Sequence, residues 1–131
     1  LKLLDTDTCV AILRGNQAVM ERRAETQDEV VTTWITAAEL FYGAAKSSAP
    51  THNHTMVTSF LGTLPVLGLD GAAVQVFGTT KALLERQGQR LDDADLFIGA
   101  IAVAQNATVV TRNRRHYERI PGLTIENWIP S

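Results

Sequence analysis

Leu1-Lys2-Leu3-Leu4-Asp5-Thr6-Asp7-Thr8-Cys9-Val10-Ala11-Ile12-Leu13 sets a short apolar run against a polar break and then a longer apolar run. Residues 1–4 read as a buried strand. Asp5-Thr6-Asp7-Thr8 are residue types that cap helix N-termini, and a helix follows to Arg14. A strand that hands over directly to a helix opens a βα unit, and the chain repeats the pattern. Gly15-Asn16 breaks the first helix, residues 17–26 read as a polar helix, and 29–34 are β-branched enough for a second strand. Thr36-Ala37-Ala38-Glu39 has the Thr-x-x-Glu form of a capping box and opens a helix to about Lys46. Residues 47–53 read as a loop around Pro50, and 55–64 as a helix.

Residues 65–69 form a third strand, which Pro65 assigns to the sheet periphery and Asp70 ends as a cap. Ala72, Ala73, Val76, Phe77, Thr80, Leu83 and Leu84 recur at helical spacing, and Gly88 closes that helix. Asp92-Asp93-Ala94-Asp95 opens a helix that is apolar all round over 96–104, the mark of a core helix. A fourth strand at 107–111, a short helix at 114–119, a Pro121-Gly122 turn and a fifth strand at 123–126 complete the pattern. Alternation of this kind predicts an α/β fold with a mainly parallel sheet of about five strands. The 131 residues suit one domain, 1–131, with its own core.

Hydrophobic residues make up 45% of the chain and charged residues 20%, which excludes disorder as the default. The formal net charge of −2 argues against broad coating of nucleic acid but is compatible with a local basic rim around an acidic cleft. Cys9 is the one cysteine, so no intrachain disulfide forms, and a reducing, cytoplasmic setting is expected. Asp5 interrupts the first apolar run too early for a secretory signal, and no run approaches the about 20 residues needed to cross a bilayer.

Asp5, Glu39 and Asp95 are the candidate chemistry. Each lies where a strand gives way to a helix or where a buried helix begins, and in a parallel α/β sheet those junctions share one edge, where ligands bind. Taken singly, helix capping is the better reading of each. Taken together, Thr6, Thr8 and Thr36 are expected to serve as caps, leaving the carboxylates unexplained. Asp95 adjoins the apolar run from Leu96, where an unpaired carboxylate costs several kcal/mol. A hard divalent cation, which takes oxygen ligands, would remove that cost. His52 and His54 read as a polar loop, and Trp34, Tyr42, Tyr117 and Trp128 as core or interface anchors.

Leu3-Leu4-Asp5-Thr6-Asp7, Ile35-Thr36-Ala37-Ala38-Glu39-Leu40-Phe41-Tyr42-Gly43, Asp93-Ala94-Asp95-Leu96-Phe97-Ile98-Gly99-Ala100, Val110-Thr111-Arg112-Asn113 and Arg119-Ile120-Pro121-Gly122-Leu123 occur in an order that resembles the PIN domain, and more closely VapC-type toxins of toxin–antitoxin systems. The resemblance implies a three-layer α/β/α fold and an Mg2+- or Mn2+-dependent endoribonuclease. It assigns Asp5, Glu39 and Asp95 to the catalytic acids, with Asp5 and Asp95 as metal ligands and Thr6, Asp93 and Asn113 as auxiliary groups. It also implies a homodimer and a VapB-like antitoxin partner, for which the segment 36–64 offers apolar surface. Many members carry a further acid two or five residues beyond the strand-end Thr. Here Asn113 and His116 stand at those positions, so a second ion is expected to bind weakly, and His116 becomes a candidate substrate contact. Arg112, Arg114, Arg115 and Arg119, with Arg14 a weaker candidate, are expected to hold RNA phosphates. Two rivals remain. Leu4-Asp5-Thr6-Asp7-Thr8 also fits the Asp-x-Asp-x-Thr motif of haloacid-dehalogenase-like phosphatases, although the last lysine is Lys81, within a helix. A non-catalytic PIN-like binding module is the other.

Overall fold

The computed structural model describes residues 1–131. In chain order the elements are β1 (Lys2–Leu4), α1 (Thr6–Leu13), α2 (Gln17–Glu25), β2 (Val30–Thr33), α3 (Trp34–Ala45), α4 (Pro50–Leu61), β3 (Val66–Leu67), α5 (Gly71–Arg86), α6 (Asp93–Ala104), β4 (Thr108–Val110), α7 (Arg114–Tyr117) and β5 (Thr124–Glu126). The strands form one sheet in the order β3-β2-β1-β4-β5. Every pairing is parallel, with Leu3 in register with Val31 on one side and Val109 on the other.

Both sheet faces are covered, which explains why the strands read as nearly continuous apolar runs. Successive side chains point to opposite faces. Leu3, Val31 and Val109 therefore join Leu84, Leu96, Ile98, Ile101, Tyr117 and Ile120 under α5, α6 and α7. Leu4 and Val110 join Val19, Leu40, Val57, Phe60 and Trp128 under the first four helices. The result is the expected α/β/α sandwich. No helix is long and apolar enough to cross a membrane.

Several boundaries differ from the sequence reading. The second strand stops at Thr33, whose side chain caps α3 by accepting from the Thr36 N–H at 3.1 Å. Trp34 is thus the first helical residue, and the Thr36–Glu39 capping box does not form. Pro50 does not sit in a loop; it opens α4, where its missing N–H costs nothing. The third strand is only two residues long and lies at the sheet edge, as Pro65 implied. Asp70 caps α5 as expected, and Asp92 caps α6.

Candidate active site

β1 is the strand from which the chain winds first toward β2 and β3 and later toward β4 and β5. The carboxyl ends of β1 and β4 therefore flank a topological switch point, the place where open α/β sheets bind ligands. Asp5 follows β1, and Thr111 follows β4.

Asp5 is 3% exposed. Contrary to expectation, it is itself the cap of α1: its Oδ1 accepts from the Thr8 N–H at 2.9 Å, while the Thr8 hydroxyl turns to the Val110 carbonyl. Its Oδ2 accepts from the Thr111 hydroxyl at 2.6 Å, and Thr111 Oγ1 in turn accepts from the Asn113 N–H. These neutral donors stabilise the carboxylate, yet burial outweighs them and raises its pKa from 3.8 to about 6.

Asp95 lies in the first turn of α6 with its side chain 26% exposed. Tyr117 Oη donates to its Oδ1 at 3.3 Å, and His116 Nδ1 stands 3.7 Å from its Oδ2. Burial, then the neighbouring Asp92 charge, push its pKa above the usual carboxylate range, and Glu39 adds to the effect. Glu39 projects from α3 and is exposed; its Oε1 accepts from the Thr6 hydroxyl at 2.5 Å, and Thr6 Oγ1 also meets Thr36 Oγ1 at 3.2 Å. Burial first, then the charges of Asp5 and Asp95 and, more weakly, Glu39, push the pKa of the Tyr117 hydroxyl upward.

The remaining expected residues divide. Asn113 Nδ2 donates to Asp7 Oδ2 at 2.9 Å, tying the loop after β4 to the first turn of α1. Asp93 pairs with Lys81 at 3.0 Å. Arg114 and Arg119 are tethered, each through one guanidinium nitrogen, to the carbonyls of Ile125 and Arg90. Arg112 and Arg115 are exposed. Arg14 lines a groove of about 400 Å³ together with Glu39, Leu40, Lys46 and Met56. Thr111 and Tyr117 were not singled out for the site from the sequence. Thr111 looked like the last strand residue, and Tyr117 like core.

The donor set is oxygen-rich and negative, and no Lys or Arg pairs with Asp5, Glu39 or Asp95. That chemistry fits a hard divalent cation. No three His, Cys, Asp or Glu side chains stand close enough to ligate one ion together. An ion held here would therefore take one or two carboxylates and keep part of its water shell, as Mg2+ commonly does. A phosphatase fits poorly, because Lys81, the last lysine of the chain, is committed to Asp93 at 3.0 Å.

The PIN domain family model matches residues 2–123. A Salmonella typhimurium protein named tRNA(fMet)-specific endonuclease VapC is 37% identical over 127 residues, 96% of each chain. Ribonuclease VapC2 of Haemophilus influenzae is 31% identical over 128 residues, 97% of each chain. Among solved structures, DNA-bound VapBC from Salmonella typhimurium superposes with a TM-score of 0.92 at 36% identity, covering 98% of each chain. VapBC2 from Rickettsia felis, bound to a promoter DNA fragment, gives 0.91 at 29% identity with the same coverage.

Proposed function

This chain belongs to the PIN domain family, and from that premise we propose that it is a divalent-metal-dependent endoribonuclease, the toxin of a VapBC-type toxin–antitoxin pair. The observation that carries the reading is the pair Asp5, at the end of β1, and Asp95, in the first turn of α6: carboxylates raised in pKa first by burial, with no Lys or Arg partner. Residues 1–131 act as one domain in this reading.

A bound Mg2+ or Mn2+ supplies Lewis-acid polarisation of a phosphoryl oxygen and a more acidic water. Asp5 and Asp95 would hold it. Asp5 is kept in one orientation by the Thr8 N–H and the Thr111 hydroxyl, so no reorganisation of this side chain is needed during the reaction. Glu39, exposed and fixed by the Thr6 hydroxyl through one oxygen, retains the other to orient the attacking water and accept its proton. Arg112 and Arg115 engage RNA phosphates on the rim, and Arg114 and Arg119 contribute their remaining N–H groups. His116, beside Asp95, contacts the substrate backbone.

The groove between α1, α3 and α4 leads from Glu39 past Met56 and suits an inhibitory antitoxin segment. The exposed indole of Trp34, lying against Gly68 and next to the exposed Leu69, suits association of two copies.

The test is RNA cleavage by Asp5→Asn and Asp95→Asn variants with added Mg2+ or Mn2+. Loss of cleavage with retained fold supports the reading, and unchanged cleavage overturns it. Metal binding without cleavage in the unaltered chain would favour the binding module instead.

A further inference from the structure

Tyr117 is fully buried, and a phenylalanine there would fill nearly the same space without a hydroxyl to desolvate. A buried phenol needs a partner, and the partner here is Asp95 Oδ1 at 3.3 Å. Gly99, one turn after Asp95, neighbours the same ring: a Cβ there would stand in ordinary contact, 3.8 Å from Tyr117 Cδ1. The next residue back, His116, faces the other oxygen of the same carboxylate. Two consecutive residues of α7 therefore bracket Asp95.

We propose that Tyr117 is a positioning residue for Asp95: its hydroxyl fixes the orientation of the carboxylate so that an ion meets a prearranged ligand. The proposal rests on the reading of Asp95 as a metal ligand. A phenol ordinarily titrates at about 10, so at neutral pH the hydroxyl carries its proton and can donate. Outer groups that hold metal ligands typically change affinity by about 10–100-fold when removed. The 3.3 Å separation is long for a hydroxyl–carboxylate bond, which points to the lower end of that range.

The experiment is a titration of the full chain with Mn2+, following free ion by electron paramagnetic resonance, for the wild type and Tyr117→Phe. The expected result is roughly tenfold weaker binding in the variant. A second measurement needs no metal. Thermal midpoints of the wild type, Tyr117→Phe, Asp95→Ala and the double variant form a cycle, and the two substitutions are expected to be non-additive. Equal Mn2+ affinity, or strict additivity, overturns the positioning role. A wild-type chain that binds no Mn2+ overturns the metal reading as well, which separates the two failures.

Discussion

Thr111 donates its hydroxyl to Asp5 Oδ2 at 2.6 Å, tying the end of β4 to the end of β1 beneath the crevice. Thr111 is itself fully buried, so neither partner has water as a substitute. The bond therefore supports stability and site geometry together.

Thr111→Val keeps the shape and removes the donor. A buried acceptor left unsatisfied costs about 1–3 kcal/mol. Urea denaturation at pH 7.5 should show a loss of that size, and RNA cleavage should fall along with it. Thr111→Ser, which keeps the hydroxyl, should recover most of both.

The raised pKa of Asp5 sets a pH dependence of unusual sign for a carboxylate. Between 3.8 and about 6 the folded chain binds the proton that the unfolded chain has released, so stability falls as pH rises through this window. The difference amounts to about 3 kcal/mol when the window has been crossed. Asp95 acts in the same direction. Glu126 acts in the opposite one, its pKa lowered by Lys2, but its contribution is lost only below the usual 4.5. In chelator, the thermal midpoint should therefore be higher at pH 5 than at pH 7.5. Asp5→Asn should flatten that difference, and an unflattened profile would refute the assignment.

Gly99 admits Ile120. A Cβ on residue 99 would lie 2.3 Å from Ile120 Cδ1 but 3.7 Å from its Cγ1. Ile120 is buried, so its terminal methyl has little room to swing away. Gly99→Ala should destabilise by about 1–3 kcal/mol despite the better helix propensity of alanine. Adding Ile120→Val, which deletes the clashing methyl, should restore part of the loss in the same denaturation assay.

Arg112 and Arg115 contact phosphates in the proposed complex, and their removal should register in salt dependence. For single-stranded RNA each neutralised phosphate contributes about 0.7 to the slope of log K against log salt. The double Ala variant should lose about 1.4 from that slope, measured on a cleavage-dead background. An unchanged slope would move the RNA path elsewhere.

The alternation of strands and helices was readable because period and capping residues agree along most of the chain, and the edge position of β3 followed from Pro65. The entry to α3 was misread because two threonines compete for the cap. Thr33 wins because it lies at the strand end, where its backbone is extended, and this moves Trp34 into the helix. Asp5 at the end of β1 and Asp95 in the first turn of α6 stand at the junctions the sequence marked, whereas Glu39 lies more than a turn inside α3. Their supports were not legible. Asp5 and Thr111 are 106 residues apart in the chain, and no local pattern marks a strand-end threonine as a donor to a distant carboxylate. Tyr117 was hidden for the converse reason: a buried aromatic ring carries the same sequence signal whether or not its hydroxyl has a task.

That separation also imposes an order in time. Asp5 leaves the ribosome early, while the β4 segment and its threonine follow 106 residues later. At about 5–20 residues per second, the first acid waits roughly 5–20 s for the strand that completes its surroundings. In the proposed nuclease, the cutting centre therefore stays unfinished on the growing chain until the β4 segment has been made.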